Sequence, residues 1–220
     1  MSSDIVLNFY ESLLREDDLE TLEEGSFVND NIITFQLEYL RHTKLSHSSN
    51  ILLIDPAASQ LLKLVDMESV GMVLDPLECK SKDWVFIVIN DSTSQNSSGG
   101  CHWSLLIYSP LLVCAYYLDS LGFSPNCSQA VLLCNKLSTY FGISSVNVNL
   151  PNVIKQSNGY DCGIFCMVFI EIICDMILEN DFSWQVTLAS DKVSHRVRCK
   201  RKSLIKCING LRTSDAQGGR

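Results

Sequence analysis

Apolar and polar residues change rhythm several times along this 220-residue chain, and each rhythm predicts an element. The N-terminal third reads as helical. In "NIITFQLEYLRH", Ile32, Ile33, Leu37 and Leu40 recur near helical spacing, with Asn29 or Asp30 placed to cap the first turn. Pro56 opens a second short helix through "AASQLLKLV". The acid-rich "REDDLETLEEGS" between the first two helical patterns reads as a solvated loop. Residues 84–90, "WVFIVIN", are a β-branched and aromatic run and predict a central strand. "DSTSQNSSGG" (91–100) is a loop by composition. Two further strands are expected at 103–109 and 112–118, joined through Pro110-Leu111. "SQAVLLCNKLSTYF" (128–141) has helical periodicity with Ser128 as cap, and "VNVNL" (146–150) alternates as a half-buried strand does. Residues 162–178 are apolar almost all round, which predicts a helix buried on every side. The sum is an α+β fold, a small mostly antiparallel sheet surrounded by helices, with no internal repeat and no long linker.

Composition narrows the function classes. A hydrophobic fraction of 46% and a charged fraction of 19% belong to a globular chain rather than a disordered one. No run approaches the roughly 20 apolar residues of a membrane span. The first residues lack the basic-then-apolar layout of a signal peptide, so a soluble intracellular protein is expected. The net charge of −8 is unevenly spread. Residues 191–220 carry nine Lys/Arg and two acids, +7, which leaves 8 basic and 23 acidic residues, −15, on residues 1–190. An acidic body argues against nucleic acid and for a basic protein or peptide surface. The run "RVRCKRK" (196–202) reads as a solvated helix face, a nuclear address or a docking patch. Domain organisation follows that division, with a domain over 1–190 and a basic C-terminal helix or tail over 191–220.

The ten cysteines sit mostly in apolar runs, Cys114, Cys134, Cys166 and Cys174 among them, and read as reduced core residues. No C-x-x-C occurs and there are four histidines, so no metal site is expected. One cysteine differs in place. In "QSNGYDCGIFC" (156–166), Cys162 stands where a polar turn becomes the apolar helix, with Asp161 at the cap. It is either a small core residue or a nucleophile, since free N–H groups and the helix dipole favour a thiolate there. Gly163 leaves room beside the sulfur for a substrate backbone. If the strands at 103–109 and 112–118 pair tightly about Pro110-Leu111, His102 falls across from Asp119 and completes a Cys–His–Asp set. Gln156 is placed to donate its amide to an oxyanion, joined by the Cys162 backbone N–H.

His102-Trp103, Asp119 and Gln156…Asp161-Cys162-Gly163 resemble the ubiquitin-like-modifier-specific cysteine proteases, the sentrin/SUMO protease group. Their order His, Asp, Cys differs from the Cys-first order of papain, in whose superfamily the fold would lie. "SFVNDNII" (26–33) resembles the group's Trp-Leu-Asn-Asp segment, with Phe27 in place of tryptophan. "FIVINDSTSQNSSGGCHWSLLIY" (86–108) is most similar to the deneddylase branch. The resemblance covers roughly residues 4–185. It implies no cofactor, a monomer, and cleavage after the Gly-Gly end of a Nedd/Rub modifier, both in its precursor and on target lysines such as those of cullins. It further implies that Trp103 covers a narrow diglycine channel and that Phe27, Asp30, Asn90 and Asp91 contact the modifier. The expected compartment is the cytoplasm, extended to the nucleus if the basic run is an address. A SUMO isopeptidase and a non-catalytic modifier-binding protein are the competing readings.

Overall fold

A computed structural model of the chain describes residues 3–92, 99–122 and 125–218. Residues 93–98 of the expected loop and the last two residues of the terminal "GGR" lie outside the described residues. The first correction comes at once, because the chain begins as a hairpin and not a helix. Strands β1 (Ile5–Phe9) and β2 (Ser12–Arg15) pair antiparallel around Tyr10, whose φ is 50°. Ser12 and Leu14 are buried while Leu13 between them is exposed, a period of 2 that outweighs the helical count. The acidic stretch is not wholly loop either. It opens with a short helix, α1 (Glu16–Glu20), pinned by buried Asp18, whose carboxylate accepts from the Arg15 amide at 2.7 Å, Asn29 Nδ2 at 2.6 Å and Asn31 Nδ2 at 2.9 Å.

Helix α2 (Asp30–His42) is capped by Asn29, whose side chain accepts from the Ile32 amide at 3.1 Å. Strand β3 (Ile51–Ile54) was too short at four residues to stand out in the sequence. Helix α3 (Pro56–Leu64) has Pro56 in its first turn and Asp55 as cap. Helix α4 (Val70–Leu74) leads on to strand β4 (Trp84–Asn90). Strands β5 (Trp103–Ser109) and β6 (Cys114–Leu118) follow, then helix α5 (Asn126–Phe141). Ser128 lies inside the first turn of α5 rather than capping it, with its hydroxyl bonded to the Pro125 carbonyl. Strand β7 keeps only Val148–Asn149 of the expected 146–150. The chain ends in helices α6 (Cys162–Leu178), α7 (Trp184–Leu188) and α8 (Asp191–Gly218).

The main sheet runs β3-β4-β5-β6-β7. It is mixed, with antiparallel β4–β5 and β5–β6 ladders flanked by parallel pairs at both edges. Alternate residues of β4 serve opposite cores. Trp84, Phe86 and Val88 face α2 and α6, while Val85, Ile87 and Ile89 face α3 and α5. Cover on both faces is why "WVFIVIN" shows no polar alternation. The β5–β6 hairpin is longer than a tight turn about Pro110-Leu111. Ser109 pairs with Cys114 and Leu105 with Leu118, across a four-residue connection in which Val113 has a φ of 52°.

Helix α8 docks against α6 along Val193, Val197, Leu204 and Ile208, all buried. Lys200 falls in the same stripe. Its ammonium donates to Glu171 Oε1 at 2.6 Å and Gln36 Oε1 at 2.8 Å, which joins α8 to α6 and α2. Burial pushes the Lys200 pKa below its ordinary value, and the Glu171 carboxylate opposes that fall. The basic run is therefore split, since Arg196, Arg198 and Lys202 face water and Lys200 does not. Removing the cation leaves the Glu171 carboxylate with only the Gln36 amide, which donates to it at 3.0 Å, so Lys200→Ala is expected to lower stability by about 3 kcal/mol in urea unfolding.

Candidate active site

Strand β6 delivers Asp119 one residue past its end, and β5 is preceded directly by His102. The observed hairpin register, continued outward, sets Ser104 rather than His102 level with Asp119. His102 reaches the carboxylate from the diagonal position two residues on, on the same face, and diagonal neighbours lie within reach of a long side chain. His102 Nε2 and Asp119 Oδ1 are 2.9 Å apart, and both residues are 4% exposed. The pairing read from the sequence exists, through a register different from the one assumed.

The carboxylate is satisfied from three sides. Tyr117 donates its hydroxyl to Oδ2 at 2.8 Å, and the Leu121 amide donates to Oδ1 at 2.8 Å. Burial alone would lower the His102 pKa. The hydrogen bond and charge of Asp119, with the Cys162 sulfur beside the ring, outweigh that and hold it up to about 9. The imidazole is thus cationic at neutral pH beside the Cys162 sulfur, and an imidazolium beside a thiolate is the ion pair of an activated Cys–His set. Nδ1, the nitrogen not engaged by Asp119, is buried and, among the described residues, has no bond other than the one the Cys162 sulfur can offer.

Cys162 is the first residue of α6 and is 1% exposed. Its backbone N–H belongs to the first turn, where no intrahelical acceptor exists. Asp161 occupies the cap position but makes no cap hydrogen bond. Its carboxylate instead accepts from Asn158 Nδ2 at 2.8 Å and Arg201 Nη2 at 2.8 Å. A Cβ built at Gly163 would stand 2.3 Å from Val28 Cγ2 and 3.0 Å from Trp103 Cδ1. The missing side chain is what lets α6 pack against Val28 and Trp103. Trp103 is fixed in turn, with its indole N–H donating to the Val28 carbonyl at 3.0 Å.

Gln156 is held on the same side as Asp119. Its Oε1 accepts from the Ser120 hydroxyl at 2.6 Å, and its backbone N–H donates to the Ser120 carbonyl at 2.9 Å. Its amide nitrogen donates to the Asn158 carbonyl at 2.7 Å. A primary amide has two hydrogens, so this bond leaves one for an oxyanion. The segment carrying the amide is further tied down by Lys155, whose ammonium donates to the Asp119 carbonyl at 3.0 Å.

The residues expected to meet a partner divide into two pairs. Phe27, 49% exposed, and Asp30 face solvent. Asn90 and Asp91 are half-buried and bond to nearby backbone. Asp91 Oδ1 accepts from the amides of Cys101 at 2.7 Å and His102 at 3.1 Å. Burial pushes the Asp91 pKa up, but those amides outweigh it and the carboxyl titrates below its ordinary range. Asn90 Oδ1 accepts from the Ser92 amide at 2.8 Å. Gly100, at a φ of +94°, passes so close that a Cβ would stand 1.9 Å from Asn90 Oδ1. Asn90 and Asp91 therefore shape the backbone that presents His102. Sequence reasoning missed Tyr117, Ser120, Asn158 and Arg201. Tyr117 carried a signal, since it precedes Asp119 by two on a strand and so shares its face.

The geometry fixes a pH behaviour. The His102 resonance is expected to titrate near pH 9 by NMR, and Asp119→Asn to bring the midpoint down toward the ordinary histidine value near 6.5. Because the folded pKa lies above the unfolded one, this pair stabilises the fold fully below about pH 6.5 and ceases to do so as pH rises through about 9. Thermal melts of wild type across that window should fall by more than those of Asp119→Asn.

Comparison with known proteins agrees with this geometry. Residues 26–212 match the Ulp1 protease family, C-terminal catalytic domain. Human sentrin-specific protease 8 is 30% identical over 211 residues, covering 93% of this chain and 97% of that protein. NEDD8-specific protease 1 of Arabidopsis thaliana is 30% identical over 175 residues, 78% of this chain and 76% of that protein. Among solved structures, the yeast Ulp1 protease domain in complex with Smt3, the yeast ortholog of SUMO, superposes with a TM-score of 0.69 over 96% of this chain and 89% of that chain, at 20% identity. It shares the fold. With His102, Asp119 and Cys162 brought together on that fold, this chain belongs to the Ulp1 protease family of cysteine proteases.

Proposed function

We propose that this chain is a deneddylase, cleaving after the C-terminal Gly-Gly of a Nedd/Rub modifier, in the precursor and on lysines of conjugates such as cullins. The enclosure of Cys162 carries the diglycine part of this reading. Cys162 is 1% exposed and its neighbour Gly163 lies against Trp103, and a nucleophile so enclosed favours residues without side chains over larger ones. The choice of modifier is supported by the names of relatives about 30% identical over most of the chain, sentrin-specific protease 8 and NEDD8-specific protease 1.

The chemistry follows from the side chains present. With its proton held by His102, the Cys162 thiolate attacks the carbonyl carbon of the terminal glycine, and the oxyanion meets the Cys162 backbone N–H and the Gln156 amide. His102, protonated and steered by Asp119, gives its proton to the leaving lysine amine as the carbon–nitrogen bond breaks. The resulting thioester is hydrolysed by a water that His102, now neutral, deprotonates. Phe27 and Asp30 are placed to contact the folded body of the modifier, and the enzyme works as a monomer.

NEDD8 carrying a C-terminal electrophile should form an adduct at Cys162, abolished in Cys162→Ala. Labelling by SUMO and not by NEDD8 would turn the reading into a SUMO isopeptidase. Adducts with neither would leave a modifier-binding protein. On a cleavable NEDD8 fusion, Asp119→Asn should lower kcat by on the order of 10² or more while the modifier still binds.

A further inference from the structure

Besides its packing along α6, helix α8 sends one arginine to the start of that helix. Arg201, itself 12% exposed, directs its guanidinium at two separate parts of the chain. Nη2 donates to Asp161 Oδ1 at 2.8 Å and to the Ser26 carbonyl at 2.7 Å. Nη1 donates to the carbonyls of Thr21 and Glu23, each at 2.9 Å. Nε lies 3.3 Å from Asp161 Oδ1, and the group stacks 5.7 Å from the Tyr160 ring centroid. Arginine suits the position because its five donors leave a rigid plane in several directions, whereas lysine offers three donors from one point.

The two parts it joins both lead to the site. Asp161 immediately precedes the nucleophile. Thr21, Glu23 and Ser26 form the connection after α1 that hands the chain to Phe27 and Val28. Val28 in turn accepts from the Trp103 indole and packs where Gly163 lacks a side chain. Three backbone carbonyls and a carboxylate converging on one point would repel one another without a cation between them. From this we infer that Arg201 is a positioning residue for modifier recognition. It holds the 21–26 segment, and the exposed Phe27 after it, at a fixed offset from the first turn of the nucleophile helix. The inference rests on the reading of the site as a modifier protease.

The test uses the full chain with Arg201→Gln and Arg201→Lys. Each variant is assayed on a fluorogenic NEDD8 C-terminal conjugate and, separately, for the rate at which iodoacetamide alkylates Cys162. Displacing Phe27 weakens capture of the modifier without touching the small reagent. Arg201→Gln should therefore raise KM about tenfold, with kcat within about threefold and alkylation within about twofold of wild type. Arg201→Lys keeps a cation among the carbonyls and so keeps the fold, yet its KM should stay raised because one ammonium cannot span both parts. It carries the test if the glutamine variant fails to fold. A KM equal to wild type in a folded variant, or a fall in alkylation matching the fall in turnover, would overturn the inference and reduce Arg201 to a staple of the fold. Wild-type protein that turns over no modifier conjugate would instead overturn the modifier-protease reading, and this inference with it.

Discussion

The absence of one methyl group at Gly163 governs how close the nucleophile comes to its base. Helix α6 begins at Cys162, and its second residue lies against Trp103 and Val28 at distances that leave no room for a Cβ. Trp103 is the immediate neighbour of His102, so the approach of α6 to β5 at this point is also the approach of the sulfur to the imidazole. Most of the rest of α6 is apolar and buried, and its Glu171 is held by Lys200, which fixes the helix along its length. What remained to be set was its end. Glycine there, a tryptophan locked by a hydrogen bond to the Val28 carbonyl, and a valine filling the gap set it by packing, and the Arg201–Asp161 ion pair braces the residue before it.

Electrostatics then act within that fixed frame. A buried carboxylate is costly unless its lone pairs are engaged. Asp119 has the imidazole, the Tyr117 hydroxyl and the Leu121 amide around it. The histidine is held from its backbone as well, because Asp91 accepts from the amides of Cys101 and His102. Asn90 and Asp91, which resembled partner contacts, also brace the backbone leading to His102, and Gly100 passes so close to Asn90 that a Cβ would not fit. Orientation of the base comes from a second carboxylate as much as from the first.

How much of this was legible in the sequence depended on distance along the chain. Helices α2, α3 and α6 and strands β4 and β5 announced themselves through caps, Pro56 or unbroken apolar runs, all of them local signals. The β1–β2 hairpin was misread because five- and four-residue strands give too few positions to separate a period of 2 from 3.6. The β5–β6 register was misjudged by the turn length, though a diagonal reach brought His102 and Asp119 together all the same. Cys162, His102, Asp119 and Gln156 were readable from residue type, chain order and the family resemblance. Tyr117, two positions from Asp119, could have been found by strand parity. Arg201 could not, since 40 residues separate it from Asp161 and nothing local marks one arginine in "RVRCKRK" as inward-facing.

Joined end to end, these contacts form a closed circuit around Cys162. Val28 holds Trp103, whose neighbour His102 pairs with Asp119. Ser120, next to Asp119, holds Gln156, and Gln156 bonds to Asn158. Asn158 bonds to Asp161, and Arg201 links Asp161 back to Ser26, two residues before Val28. Five stretches far apart in the chain meet in this circuit, and each is linked to the next by one or a few polar bonds. In such a network the effects of single substitutions do not add, because breaking one link relaxes the restraint on its neighbours. Pairs of substitutions within the circuit should therefore cost less than the sum of their separate effects. A substitution in the circuit paired with one in the distant α3–α5 core should cost the sum. The basic C-terminal helix belongs to this same argument, since its one inward arginine closes the circuit.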